Sequence, residues 1–180
     1  EPTSMDVSTL GTEGATIRID SNGKVVAYLS TTSHGQSIET TMAQIIADDL
    51  GVNYDDVTIV QADSQATPWG PGTGGSRTAV IAGGAAHDAA VAVRDKVLNM
   101  ASHMMEASPD DLQISEGVIA VRGTPDRSVT LKEVATEAYT NAHLMFILPH
   151  SVITVSLVAA LLPRMSRAAH DGRRSDLAAD

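Results

Sequence analysis

Two short pairs of strand-forming segments, each joined by a tight turn, constrain the fold of this chain more than any other feature. GATIRID (14–20) and KVVAYLS (24–30) are separated by Ser-Asn-Gly, and DLQIS (111–115) and VIAVRG (118–123) are separated by Glu-Gly. Strand-forming runs separated by a short turn signal predict β-hairpins. Because hairpins outnumber strand–helix–strand crossovers in this pattern, we expect an α+β fold rather than a doubly wound sheet.

Helical periodicity lies between and after these hairpins. Apolar residues recur at helical spacing over Ile38–Leu50, with Ser37 as N-cap and Gly51 as the end of the helix. VTIVQ (57–61) predicts a further strand. The expected order is therefore ββ-α-β-loop-α-ββ-α, with hairpins packed against helices.

Two more helices are expected downstream. One runs from about Thr78 to Glu106 and is interrupted by Gly83-Gly84, and its alanine-rich face favours close packing. The other begins at Thr130, where a capping box with Glu133 opens a short helix to about Tyr139.

Composition narrows the function classes. The 180 residues have a formal net charge of -10 at pH 7, which argues against nucleic-acid binding because phosphate contacts need a basic surface. With no cysteine there is neither a disulfide framework nor a thiolate metal site, which fits a reducing, cytoplasmic compartment for residues 1–141. No signal peptide is visible, and the start reads like the middle of a longer protein.

Residues 142–163, AHLMFILPHSVITVSLVAALLP, contain no Asp, Glu, Lys or Arg. As a helix, these 22 residues would span about 33 Å, enough for a bilayer core of about 30 Å. Arginines follow, as expected of a cytoplasmic flank, although Pro149 interrupts the stretch. We therefore expect an apolar C-terminal helix with possible membrane contact, and a soluble buried or interfacial helix is the alternative.

A glycine-rich loop, TPWGPGTGGSRTAV (67–80), precedes the long helix and contains a GxGxxG pattern. A dinucleotide fingerprint requires a strand running directly into the glycines, but residues 62–69 intervene. A P-loop requires lysine where Ser76 stands. What remains is either a surface turn or a loop whose backbone N–H groups bind an anion next to a helix N-terminus.

This loop occurs together with SHGQSIETTMAQIIADDLGV (33–52), and the pair resembles the large, molybdenum-binding subunit of the molybdenum hydroxylases. That family includes xanthine dehydrogenase, aldehyde oxidase and the aerobic carbon monoxide dehydrogenases. The resemblance extends from about Gly11 to Asn141 and is greatest toward the carbon monoxide dehydrogenase-like branch. It implies a partial molybdopterin-binding domain over residues 1–141, followed by a tail of different origin over residues 142–180. Within that tail, about residues 142–175, with the pattern LPHSVITVSLVAALLPRMSRAA, resemble a lipid II flippase (MviN-type) segment.

The resemblance also implies a cofactor and partners. The cofactor is molybdopterin cytosine dinucleotide, and the partners in the intact enzyme are iron–sulfur and flavin subunits or domains. In the family, Ser37 is a glycine, so a positive φ at this position would strain the serine. The residues implied to bind the cofactor are Gly35, Gln36, Gly74, Gly75, Ser76, Arg77 and Thr78.

The catalytic glutamate and the substrate-facing loop of the family lie outside this chain, so no catalytic residue and no protein metal site are predicted. Among the remaining candidates, Asp48-Asp49 and Asp55-Asp56 are expected to be solvated, and His34 borders the cofactor loop. The predicted function is a cofactor-binding fragment for oxidative hydroxylation or CO oxidation. The alternatives are a membrane-protein (lipid flippase-like) fragment and a non-catalytic soluble α+β module.

Overall fold

The computed structural model describes residues 11–170 and divides into two compact units, Glu1–Ala138 and Tyr139–Asp180. The predicted domain limits of 1–141 and 142–180 stay a prediction. The α+β class is confirmed, with small sheets, packed helices and one long apolar helix at the end. In chain order the helices and strands are β1 (Ala15–Ile19), β2 (Val25–Leu29), α1 (Ile38–Leu50), β3 (Val57–Val60), α2 (Gly83–Met105), β4 (Leu112–Ser115), β5 (Val118–Val121), β6 (Thr124–Thr130) and α3 (Leu131–His170).

The first sheet has the order β1-β2-β3. β1 and β2 form the predicted antiparallel hairpin, with Ile17 opposite Ala27. β3 pairs with β2 in parallel, and α1 is the crossover between them. Because parallel strands end at the same edge of a sheet, the loops that follow β2 and β3 begin side by side.

The second sheet has the order β4-β5-β6 and is antiparallel throughout. Its first hairpin was predicted, but β6 was not. The sequence of β6, TPDRSVT, is polar and almost entirely exposed, so it has no alternation of apolar and polar residues that would mark a strand. The register shifts between Ala120 and Val121, where the bulge bends the sheet.

The core lies between the first sheet and the two helices α1 and α2. Val25 and Ala27 of β2 are inaccessible to solvent, as are Ile46 of α1 and Ala86 and Ala90 of α2. Alanines on α2 present little side-chain volume, which allows the backbones of the two helices to approach closely, as the alanine-rich face predicts. The core therefore fixes the sheet edge from which both loops emerge.

The ends of the helices correct two expectations. Ser37 does occupy the N-cap position of α1, but its φ of 59° is left-handed and its side chain makes no capping hydrogen bond. Gly83-Gly84 do not interrupt the second helix, because they open α2. The irregularity lies one turn earlier, where Thr78–Ala82 form a π-helical turn.

The capping box at the start of α3 is present. The Glu133 carboxylate accepts hydrogen bonds from the Thr130 backbone N–H at 2.7 Å and from its hydroxyl at 2.8 Å. These bonds, the backbone one first, hold the pKa of Glu133 below its ordinary value, because they favour the charged carboxylate.

The sequence predicted that the helix opened by the capping box ends near Tyr139, but the helix is longer. α3 continues without a break to His170 and includes Pro149 and Pro163. By length and composition it could cross a bilayer, and no residue of its most apolar 18-residue window is buried. The exposed apolar side chains are Leu144, Met145, Phe146, Ile147, Leu148, Val152, Ile153, Val155, Leu157, Val158 and Leu162.

Candidate functional site

Two loops meet at the carboxyl edge of the first sheet. One follows β2 and leads into α1 (residues 30–37), and the other follows β3 and leads into α2 (residues 61–77). The hydroxyl of Thr73 donates a 2.8 Å hydrogen bond to the carbonyl of Thr32, which joins the second loop to the first. The structure therefore brings the two predicted cofactor segments to one edge of the domain.

The first loop presents Gly35 and Gln36 at the surface. Gly35 has a φ of +100°, and a Cβ built there would meet no atom within 4 Å. The side-chain oxygen of Gln36 accepts a hydrogen bond from the backbone N–H of His34, two residues earlier. This local bond orients the amide of an exposed side chain without linking it to the rest of the fold.

The second loop combines left-handed backbone with open space. Gly72, Gly75 and Ser76 have φ values of 83°, 57° and 58°. A Cβ at Gly72, Gly74 or Gly75 would meet nothing within 4 Å. The Thr78 that follows begins the helical turn that continues into α2, so a helix N-terminus with its partial positive charge adjoins the open glycines.

Arg77, one of the residues that the resemblance implies to bind the cofactor, is only 5% exposed. Nη1 donates to the Gly72 carbonyl at 2.6 Å and to the Glu13 carboxylate, whose side chain is fully buried. The side chain therefore holds the loop from inside.

Three residues near this edge have buried polar atoms with no hydrogen-bond partner among residues 11–170. They are the Thr31 hydroxyl, both amide atoms of Gln61, and Nε and Nη2 of Arg77. Buried polar groups are nearly always paired in complete proteins, so these atoms fit a surface that a further polar group completes. The sequence analysis did not identify Thr31 or Gln61. Each is a polar residue just after the end of a strand, Thr31 after β2 and Gln61 after β3.

A cavity of about 310 Å³ lies beside the second loop and is lined by Ser30, Thr32, Asp63 and Trp69, among others. Neither Gln36 nor residues 74–78 line it. A larger cavity of about 540 Å³ is formed by other elements, with Asp49, Arg94 and Arg122 in its wall. Apart from the buried Arg77, the predicted cofactor residues thus lie on loop surface outside both of these cavities.

Acidic and histidine side chains do not assemble a reactive cluster in the described part of the chain. Asp56 pairs with Lys24, and Asp49 pairs with Nδ1 of His87 at 2.9 Å. Within residues 11–170 no group of three or more His, Asp or Glu side chains is placed to hold a metal ion. At the edge where the two loops meet, the arrangement offers backbone and side-chain donors for binding.

The sequence profile described as a molybdopterin cofactor-binding domain matches residues 1–160. The chain is 41% identical over 132 residues to the 6-hydroxypseudooxynicotine dehydrogenase complex subunit gamma of Paenarthrobacter nicotinovorans. It is 40% identical over 127 residues to the carbon monoxide dehydrogenase large chain of Afipia carboxidovorans. These alignments cover 73% and 71% of this chain and 16% of each relative, so the chain spans about one sixth of the length of these relatives.

The fold is likewise similar to solved structures. Quinoline 2-oxidoreductase from Pseudomonas putida 86 superposes with a TM-score of 0.67 at 41% identity, over 73% of this chain and 16% of that one. The predicted likeness of the tail to a lipid II flippase gains no support, because the profile match continues through residue 160.

Proposed function

The chain belongs to the molybdopterin cofactor-binding domain family of molybdenum hydroxylase large subunits, and from that premise we propose that its two loops bind molybdopterin cytosine dinucleotide. Gly35 and Gln36 would contact the pterin from the first loop. Residues 74–78 would contact the pterin or the nucleotide phosphates from the second loop. The proposal depends most on one observation, namely that the open glycines of both loops lie at one sheet edge.

Open glycines suit this ligand for a steric reason. Where a Cβ meets no protein atom, glycine is not needed for packing within the domain, and its use is explained if a ligand approaches the backbone closely. Gly74 is the most informative case, because its Cβ position is open and its φ lies outside the left-handed range. A ligand approaching there would meet backbone N–H groups next to a helix N-terminus, which favours phosphate.

Gln36 supplies a different kind of contact. A side-chain amide has both a donor and an acceptor, and the edge of a pterin has both as well. The exposed amide is already oriented through its oxygen by the His34 backbone N–H. In this arrangement the first loop would recognise the heterocycle, and the second loop would recognise phosphate.

When bound, the molybdenum cofactor supplies the redox chemistry of the family, oxidative hydroxylation or CO oxidation. The loop residues of this chain would bind and orient it. Electrons would leave through iron–sulfur and flavin partners elsewhere in the intact cytoplasmic enzyme. The substrate-facing groups lie outside this segment.

The test replaces the matched segment of the carbon monoxide dehydrogenase large chain with residues 11–141 of this chain. It then measures the pterin and molybdenum that the exchanged subunit binds. We expect the exchanged subunit to retain both. Gln36→Ala and Gly74→Ala should each weaken pterin binding by about tenfold, as loss of a 1.4 kcal/mol contact would, and so lower the pterin content measured at limiting cofactor. Gly84→Ala, at an open glycine inside α2, is the matched control and should leave the content unchanged. Equal content in all variants would contradict the proposal.

A second candidate function concerns α3, whose apolar side chains are exposed over residues 144–162. A helix that is apolar on all sides is typical of a bilayer or a protein interior, so we propose that this segment contacts lipid. Flotation with phosphatidylcholine vesicles tests this. Val155→Lys should abolish flotation, whereas Val118→Lys on β5 should not. Absence of flotation in the unsubstituted chain would reject lipid contact.

A further inference from the structure

The Glu13 carboxylate joins three separate segments of the domain. One oxygen accepts a hydrogen bond from Nη1 of Arg77, at the end of the glycine-rich loop, and the other accepts one from the Ser30 hydroxyl, directly after β2. The side chain of Glu13 is 0% exposed and that of Arg77 is 4% exposed. Ser30 in turn accepts a 3.1 Å bond from the Gly14 backbone N–H. The carboxylate is therefore fixed from both sides.

The glycine-rich loop rests directly on this pair. A Cβ at Gly70 would overlap the Glu13 carboxylate and the Ser30 side chain, so no other residue fits there without displacement. At the other end of the loop, Nη1 of Arg77 also bonds the Gly72 carbonyl at 2.6 Å. The Glu13–Arg77 pair thus fixes both the beginning and the end of residues 70–77.

We propose that Glu13 is a positioning residue for the cofactor loop, acting through Arg77. By holding the guanidinium inward, Glu13 keeps Gly72, Gly74 and Gly75 in the open conformation in which backbone rather than side chain faces a ligand. The positioning role rests on the proposed function, because it concerns cofactor binding. The contact between Glu13 and Arg77 does not depend on that function. Glu13 is not among the predicted cofactor-binding residues, and the sequence did not predict that it acts through Arg77.

The energetics favour a conformational role over a simple gain in stability. A buried ion pair gains little net stability, because desolvation of the two charges offsets their attraction, but removal of one partner leaves a buried charge without compensation. Two of the guanidinium nitrogens already have no partner in the described structure. Without Glu13, the charge of Arg77 is therefore expected to move into water and take the loop with it.

The test measures amide hydrogen exchange in the full chain without cofactor. Glu13→Ala, Arg77→Ala and the double variant should each speed exchange of the amide of residue 77, which donates to the Gly74 carbonyl, by about tenfold or more, with no additional effect in the double variant. Exchange in β2 and α1 should stay unchanged. Glu13→Gln, which keeps the shape and one acceptor, should show a smaller increase. Asp88→Asn, at an exposed acid on α2, is the control of equal charge change.

Two results would overturn the inference. Unchanged loop exchange in Glu13→Ala and Glu13→Gln would show that the carboxylate does not hold the loop. Faster exchange throughout the domain in every variant would show a general structural role.

A second readout separates this inference from the proposed function. In the complete subunit, Glu13→Ala should lower pterin content and Glu13→Gln should restore part of it. Loss of pterin with unchanged loop exchange would overturn positioning through Arg77. A subunit that binds no pterin would refute the proposed function, while the exchange experiment still decides whether Glu13 holds the loop.

Discussion

The two loops at the carboxyl edge of the first sheet are held in different ways. Residues 34–37 of the first loop are exposed, and the side chain of Gln36 bonds to His34, two residues away. The second loop is fixed by bonds to residues distant in sequence, from Thr73 to Thr32 and from Arg77 to Glu13. Substitutions in the first loop should therefore affect ligand binding, whereas several substitutions in the second loop should affect the stability of the fold.

Glycines of the second loop also divide into two classes. Gly70 has neighbouring side chains where a Cβ would stand, while Gly74 has open space. A glycine-rich motif thus combines positions needed for packing with positions free for a ligand, and only the structure tells them apart.

The largest effect on stability is expected from Gly70→Ala. The added Cβ would collide with Glu13 and Ser30, and overpacking of this kind costs about 2–3 kcal/mol of unfolding free energy. Urea unfolding of the chain measures this loss, with Gly74→Ala as the control that should remain near the parent value. Equal stability of the two variants would remove the distinction between the two classes of glycine.

Thr73→Val tests the hydrogen bond between the loops. The substitution keeps the branched shape but removes the hydroxyl that donates to Thr32, so we expect a loss of about 1 kcal/mol. The same unfolding experiment applies, and Thr41→Val, at an exposed hydroxyl on α1, serves for comparison. If Thr73→Val is no more destabilising than Thr41→Val, the second loop is not anchored through this contact.

Ser37→Gly should raise stability slightly. Ser37 has a φ of 59° and makes no side-chain capping bond, and a left-handed backbone costs a non-glycine residue about 1 kcal/mol. We expect a gain of up to about 1 kcal/mol, reduced by the greater freedom of glycine in the unfolded chain. A clear loss on thermal unfolding would show that the serine side chain contributes something that the hydrogen bonds do not reveal.

The smallest effect on stability is expected from Gln36→Ala. The side chain is exposed and its bond is local, so the unfolding free energy should change by less than about 0.5 kcal/mol. Its effect should appear instead in pterin content. A large loss of stability would contradict the view that residues 34–37 are held only locally.

Local features of this fold were predictable from the sequence. The limits of α1, both hairpins and the Thr130–Glu133 capping box follow from periodicity, turn residues and short-range hydrogen bonds, and each is present. The same reasoning ended one helix near Tyr139 and placed a separate apolar helix at residues 142–163, because no local pattern showed that the two are continuous. It also missed β6, which has no buried face to mark it.

The site was predictable only in part, for a related reason. Resemblance to a known family identified both loops, and the parallel pairing of β2 with β3 explains why they lie at one edge. The inward position of Arg77 depends on Glu13, 64 residues away in sequence, and no local pattern indicates that contact. Thr31 and Gln61 became candidates only once their burial was known.

The most direct test of the account compares amide hydrogen exchange in the complete large subunit with and without its molybdopterin cofactor. If both loops bind the cofactor, the cofactor should slow exchange in residues 34–37 and in residues 72–78 together. Exchange around Arg94 and Arg122 at the larger cavity should stay unchanged. Slower exchange in only one loop, or in neither, would contradict the claim that the two loops bind a single ligand.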